Sequence, residues 1–186
     1  RADGWYLRSD IIWHKPNCMP ESCKDRPTKS HEYMFLLSKS KKYYYDAEAI
    51  SEDAINTKMP GKNMRDTRET YGPQNGGNSG LRDLKQRYKS GDWPTKRNKR
   101  TVWTVPSHPF KEAHFATFPE KLIEPCILAG CPEGGICLDP FFGAGTTGLV
   151  AKKLGRHFIG IELNEAYIGM AQKRIAAVPN RLDNWM

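Results

Sequence analysis

The sequence predicts an α/β, doubly wound fold with a mostly parallel sheet and a basic, loop-rich insert, and three observations carry that prediction. Residues 136–177 alternate strand, helix, strand and helix within about forty positions, the order of a right-handed parallel unit. A glycine-rich turn stands at the first strand-to-helix junction of that unit. Two further runs rich in β-branched, aromatic and aliphatic residues lie near the start of the chain, separated from the unit by a polar stretch crowded with cations.

The bulk composition agrees. A chain of 186 residues holds one α/β domain with a core and is too short for two ordinary ones. Hydrophobic residues at 38% and charged ones at 27% exclude a wholly disordered chain. No apolar run approaches the roughly 18 residues of a membrane span; the longest, 123–131, is broken by Glu124 and Pro125. The start lacks the basic and apolar halves of a signal peptide, so a cytoplasmic location and no membrane partner are expected. The five cysteines, Cys18, Cys23, Cys126, Cys131 and Cys137, form an odd set without a CxxC pair, which fits reduced interior thiols. His14, Cys18 and Cys23 share one segment, but a structural zinc site wants four ligands at tighter spacing, and no metal is expected. The net charge of +8 favours polyanionic partners.

Taken in order, residues 9–14 (SDIIWH) and 32–38 (EYMFLLS) read as buried strands. The stretch between them contains Pro16, Pro20 and Pro27 and reads as a loop. Residues 51–108 form the insert, with a glycine- and asparagine-rich centre at 72–80. Between Asn56 and Trp103 twelve Lys and Arg residues stand against four Asp and Glu, interleaved with Tyr71, Tyr88, Trp93 and Trp103. Cations for phosphates and aromatic faces for unstacked bases suit a nucleic-acid surface; the DNA-contact candidates are Arg82, Lys85, Arg87, Lys96, Arg97, Lys99 and Arg100. Residues 119–130 read as a helix with proline in its first turn and a distortion at Pro125. Then follow a strand at 136–139, a helix at 145–154 closed by Gly155, a strand at 157–162, and a helix at 164–177 with Asn164 as N-cap and a stripe of Ile168, Ala171 and Ile175. The divisions are therefore 1–50, 51–108 and 109–186.

The chemistry concentrates in residues 139–147 (DPFFGAGTT). Gly143 and Gly145 let the backbone turn tightly and approach a ligand, and the following helix N-terminus offers N–H groups to an anion. Glu162 ends the next strand nineteen residues after Gly143, where a carboxylate can accept from both hydroxyls of a ribose. An adenosine-containing cofactor is implied. Gly148 three residues after Gly145 leaves a dinucleotide site as one alternative.

DPFFGAGTT, the IGIELN segment at 159–164 and the helix after it resemble the S-adenosylmethionine site of the DNA amino-methyltransferases that modify cytosine N4 or adenine N6. The segment HFATFPEKL at 114–122 is similar to the part that flanks the cofactor in the circularly permuted (beta-class) members, and DIIWHKPN at 10–17 and HEYMFLLSK at 31–39 to strands that follow their catalytic loop. The resemblance covers most of the chain and implies a Rossmann-like methyltransferase fold, of which the 109–186 segment is the cofactor-binding half. It places Phe141, Gly143, Gly145 and Thr146 along the methionine part of S-adenosylmethionine and Glu162 on its ribose. Thr117, Phe118 and Pro119 would touch cofactor, with core packing as the rival role of Phe118. Asp139 would orient the cofactor's ammonium group or cap its own loop. Lys15 and Asn17, just beyond a strand end, would face the active site.

The implied reaction is direct methyl transfer to an exocyclic amine of a base flipped out of double-stranded DNA, within a restriction-modification setting or outside one. The family's catalytic motif, an Asp, Asn or Ser followed by Pro-Pro and an aromatic residue, has no counterpart in these residues, so no catalytic residue is assigned. The chain opens at Arg1, close to a strand and without an initiator methionine, so it is expected to be the C-terminal portion of the enzyme, inactive alone, with the motif on an N-terminal segment or a second subunit. The alternatives are a catalytically dead DNA-binding module, a subunit of a split methyltransferase, and a nicotinamide-dependent enzyme.

Overall fold

Alternating apolar residues in the first forty positions make a hairpin whose two faces meet different surroundings, and a computed structural model describes it together with the rest of residues 3–54, 95–107 and 118–179. In chain order the elements are β1 (Tyr6–His14), β2 (His31–Ser38), β3 (Glu52–Asp53), β4 (Lys96–Arg97), β5 (Val102–Thr104), α1 (Glu120–Gly130), β6 (Ile136–Asp139), α2 (Thr146–Lys153), β7 (His157–Gly160) and α3 (Glu165–Ala176). They fall into two compact units, Arg1–Ile50 with Lys99–Met186, and Ser51–Asn98.

In the larger unit β1 runs antiparallel to β2, from Tyr6 opposite Ser38 to His14 opposite His31, with a bulge between Leu7 and Ser9. On its other side β1 pairs in parallel with β5, Ile12 opposite Val102 and His14 opposite Thr104. The pleat sends alternate residues to opposite faces. Ile11, Trp13, Met34 and Trp103 meet Leu122 of α1 on one face and form a core cluster, whereas Tyr33, Phe35, Leu37 and Val102 on the other are exposed. Both buried indoles are satisfied: Trp13 Nε1 donates to the Val105 carbonyl at 2.7 Å and Trp103 Nε1 to the Arg100 carbonyl at 2.6 Å.

β6 and β7 pair in parallel from Ile136 opposite His157 to Asp139 opposite Gly160, as the strand-helix-strand order predicts. Cys137 and Phe158 pack toward the helices, and Ile136, Leu138 and Ile159 stand exposed on the other face. The second core joins Ile127 of α1, Cys131 and the α2 residues Leu149, Val150 and Ala151. α1 thus serves both cores, Leu122 on one side and Ile127 on the other. Pro119 is its N-cap, and Pro125 sits inside it without ending it. Burial pushes the Cys126 thiol up to about 11 and the Cys137 thiol up to about 12, which keeps both neutral near pH 7. Cys23, by contrast, is exposed; its loop carries too few apolar residues to cover it. In the smaller unit β3 and β4 pair antiparallel, Glu52 opposite Arg97 and Asp53 opposite Lys96.

Several boundaries differ from the sequence reading. Residues 102–104, assigned to the insert, form β5 in the larger unit, because Trp103 buries against Trp13 and an intrinsic pattern three residues long is too short to read. The division accordingly falls at Asn98 and Lys99 rather than after residue 108. The described strands form three separate sheets, one mixed, one antiparallel and one parallel, and not one continuous parallel sheet. None of the described helices is long and apolar enough to cross a membrane.

Candidate cofactor site

The turn after β6 is organised by two carboxylates, one at the end of each parallel strand. Asp139 closes β6. Its Oδ1 accepts from the Phe141 amide at 3.0 Å and its Oδ2 from the Thr147 hydroxyl at 2.6 Å, so it ties the start of the turn to the first turn of α2. This is the loop-capping role, one of the two named from the sequence. Gly143 and Gly145 take φ of 50° and 76°, in the left-handed region that disfavours a Cβ, and Gly145 is the N-cap of α2. Phe142 anchors the turn from within. Its ring stacks on Phe158 at 5.7 Å, and a Cβ on Gly160 would lie 2.4 Å from it. Phe141 points outward, 88% exposed.

Glu162 lies two residues beyond β7. Its Oε2 accepts from the Gly143 amide at 2.7 Å, and its Oε1 from the amides of Leu163 and Asn164, both at 2.9 Å. These bonds, that from Asn164 first and that from Gly143 next, hold the carboxyl below the ordinary glutamate value. The carboxylate therefore links the two strand ends, nineteen residues apart, and stays ionised at neutral pH. Asn164 then caps α3 through its side chain, which accepts from the Ala166 amide at 3.0 Å.

α3 supports the turn from outside. A Cβ on Gly145 would lie 2.7 Å from the Cβ of Ala171, which is 1% exposed. Arg174, one helical turn further on, donates through Nη1 to the Ala144 carbonyl at 2.5 Å and to Thr146 Oγ1 at 3.3 Å. Neither Arg174 nor Leu163, 96% exposed beside Glu162, was singled out from the sequence. A cation three residues after a buried alanine on one helix face was the signal for the first, and an apolar residue directly after the acid for the second. Between β7 and α3 runs a groove of about 600 Å³ lined by Phe142, Phe158, Ile161, Glu162, Ile168 and Ile175 among others.

The other expected site residues are spread. Thr146 is buried at the start of α2. Phe118 is 36% exposed and belongs to neither core cluster, and Pro119 caps α1. Thr117, Arg82, Lys85 and Arg87 lie outside the described residues. In the smaller unit Lys96 pairs with Asp53 at 2.7 Å and Arg97 with Glu52 at 3.1 Å. In the larger unit Lys99 lies 5.2 Å from the centre of the Trp103 ring, and Arg100 lends its carbonyl to that indole. Lys15 pairs with Glu32 and lies over the Trp13 ring. Asn17 clamps Ser107, donating to its carbonyl at 2.8 Å and accepting from its amide at 2.9 Å.

Known proteins are similar to this chain. The family model for N6/N4 methylases, described as DNA methylase, matches residues 1–173. The type II methyltransferase M.SmaI of Serratia marcescens is 48% identical over 173 residues, covering 93% of this chain and 47% of the relative. M.Cfr9I of Citrobacter freundii is 47% identical over 175 residues, covering 94% and 46%. The chain thus spans about half the length of these relatives. Among solved structures, the complex of M1.HpyAVI with S-adenosylmethionine superposes with a TM-score of 0.59 at 25% identity, covering 94% of this chain and 64% of that one. The cytosine-N4-specific PvuII DNA methyltransferase shares the fold, with a TM-score of 0.60 at 19% identity, covering 96% and 53%. With the family model spanning nearly the whole chain and two relatives close to half identical, the chain belongs to the N6/N4 DNA methylase family.

Proposed function

We propose that this chain is the cofactor-binding and target-recognition part of a DNA methyltransferase that moves a methyl group from S-adenosylmethionine to cytosine N4 or adenine N6. The observation that carries the reading is the Glu162 carboxylate bonded to the Gly143 amide, which brings an ionised acceptor to the edge of a glycine turn and a helix N-terminus. The residues fit the cofactor. Gly143 and Gly145 present bare backbone, the N-terminus of α2 favours the cofactor's carboxylate, and Glu162 accepts from ribose hydroxyls in exchange for the Gly143 amide. Phe141 and Leu163, both exposed beside the turn, offer apolar surface to an adenine ring. Thr146 would line the methionine end, and Thr117, Phe118 and Pro119 would contact the cofactor. S-adenosylmethionine supplies, when bound, an activated methyl group on sulfur.

Calorimetry with S-adenosylmethionine and with NAD tests this reading. Binding of the first and not the second is expected, and Glu162→Ala weakens it about tenfold or more, the scale of losing hydrogen bonds to a charged group. Preferential binding of NAD, or binding indifferent to Glu162→Ala, overturns the assignment.

The catalytic loop is proposed to reside on an N-terminal segment or a companion subunit. Supporting this, β2 and β6 each pair with a single strand among the described residues, and both of their sheets leave an apolar face exposed. Such edges and faces are ordinarily covered in an α/β protein. The target is double-stranded DNA with the base flipped out, contacted by Arg82, Lys85, Arg87, Lys96, Arg97, Lys99 and Arg100 of the basic insert and its border. Lys96 and Arg97 would exchange their carboxylate partners for phosphates on binding.

A further inference from the structure

We infer that Arg174 is a positioning residue for the cofactor turn, setting the peptide plane between Ala144 and Gly145 from the far helix. The inference deepens the methyltransferase reading and rests on it for its effect on cofactor affinity. Ala144 sits between Gly143 and Gly145, the two residues of the turn with positive φ and the widest backbone freedom. A peptide plane with glycine on one side rotates more easily unless one of its polar groups is held. Arg174 holds it. Nη1 donates to the Ala144 carbonyl at 2.5 Å and to Thr146 Oγ1 at 3.3 Å, bridging the residues on either side of Gly145.

The peptide bond is planar and trans, so fixing the carbonyl of Ala144 also fixes the direction of the Gly145 N–H. That N–H donates to the Phe142 carbonyl at 2.9 Å, which closes the turn. The same helix packs closely on the turn: a Cβ on Gly145 would lie 2.7 Å from the Cβ of Ala171. Ala171 and Arg174 are one turn apart on α3 and so share a face. α3 is in turn fixed at its start by Asn164, which follows Glu162. Glu162 therefore grips the turn at Gly143 and Arg174 grips it at Ala144 and Thr146, from opposite ends of one strand-helix segment. A guanidinium beside the N-terminus of α2 also adds positive potential where a carboxylate would bind.

Three variants test this: Arg174→Met, Arg174→Lys and Arg174→Ala. In hydrogen exchange without cofactor, Arg174→Met is expected to speed exchange of the Gly145 amide and its neighbours in 143–147 while β1 and β2 stay protected. Unchanged exchange there overturns the inference. In calorimetry with S-adenosylmethionine, Arg174→Met is expected to weaken binding about tenfold, and Arg174→Lys less, since an ammonium keeps the charge and loses the planar fork. Added guanidinium is expected to restore binding to Arg174→Ala in part. Loss of affinity that guanidinium does not restore, accompanied by a lower melting temperature, marks a merely structural role and also overturns it. A wild-type protein that binds no S-adenosylmethionine, with the turn still loosened in Arg174→Met, refutes the methyltransferase reading and leaves Arg174 as the residue that sets the turn.

Discussion

Glycine at 160 and 145 is required for different reasons, and each makes a separate prediction. Gly160 leaves room for the Phe142 ring, which a Cβ would approach to 2.4 Å. Gly160→Ala therefore forces Phe142 off its stack with Phe158 and is expected to cost about 1–3 kcal/mol in chemical denaturation. Gly145→Ala adds a left-handed backbone to a 2.7 Å clash with Ala171, so its cost is expected to be the larger of the two. Glu162 makes a pH prediction. Its folded value is depressed, so its stabilising contribution is complete above the ordinary glutamate value of 4.5 and is lost as pH falls through the folded value. The gap in melting temperature between wild type and Glu162→Gln is expected to be constant from neutral pH to about 4.5 and to shrink below it. Of these residues Gly145 and Glu162 were legible in the sequence, because a turn and a strand-end acid are local patterns. Gly160 and Arg174 were not, since what they touch lies 18 and 30 residues away.

At the scale of elements, α1 joins the two cores and α3 braces the cofactor turn, for reasons the sequence only half displays. Asn164 as N-cap of α3 follows directly from its residue type and place, and Asn164→Ala is expected to cost about 1 kcal/mol and to loosen the segment that presents Glu162. Leu122 belongs to a cluster with Trp13 and Trp103 drawn from three separate stretches of chain. Leu122→Ala is expected to cost about 2–5 kcal/mol in chemical denaturation, with protection lost first in β1 and β5. The strands at 9–14 and 32–38 were readable within a few residues of their ends, because each buries one face over a sufficient length. β5 was not, for three residues carry no period, and only pairing with β1 makes them a strand. The helices at 120–130, 146–153 and 165–176 matched their stop and start signals to within a residue or two.

Across the larger unit, exposed apolar residues on β2, β5, β6 and β7 form surface that an α/β fold normally covers. The chain expressed by itself is expected to bind a hydrophobic dye, and co-expression with a segment bearing the Pro-Pro-aromatic motif is expected to suppress that binding and permit methyl transfer. Dye binding unchanged by the companion would argue against this surface as the place where it docks. The β-α-β-α unit, the glycine turn with Glu162 and the excess of cations in the insert are legible in the chain alone, because each is written in residues near one another. That Glu162 grips Gly143, that α3 braces the turn through Ala171 and Arg174, that β5 joins β1, and that Lys96 and Arg97 meet acids on β3 emerges only from the folded molecule. A local pattern sets which conformation a segment prefers, while the partner of a hydrogen bond or a buried ring is set by packing between segments far apart in sequence.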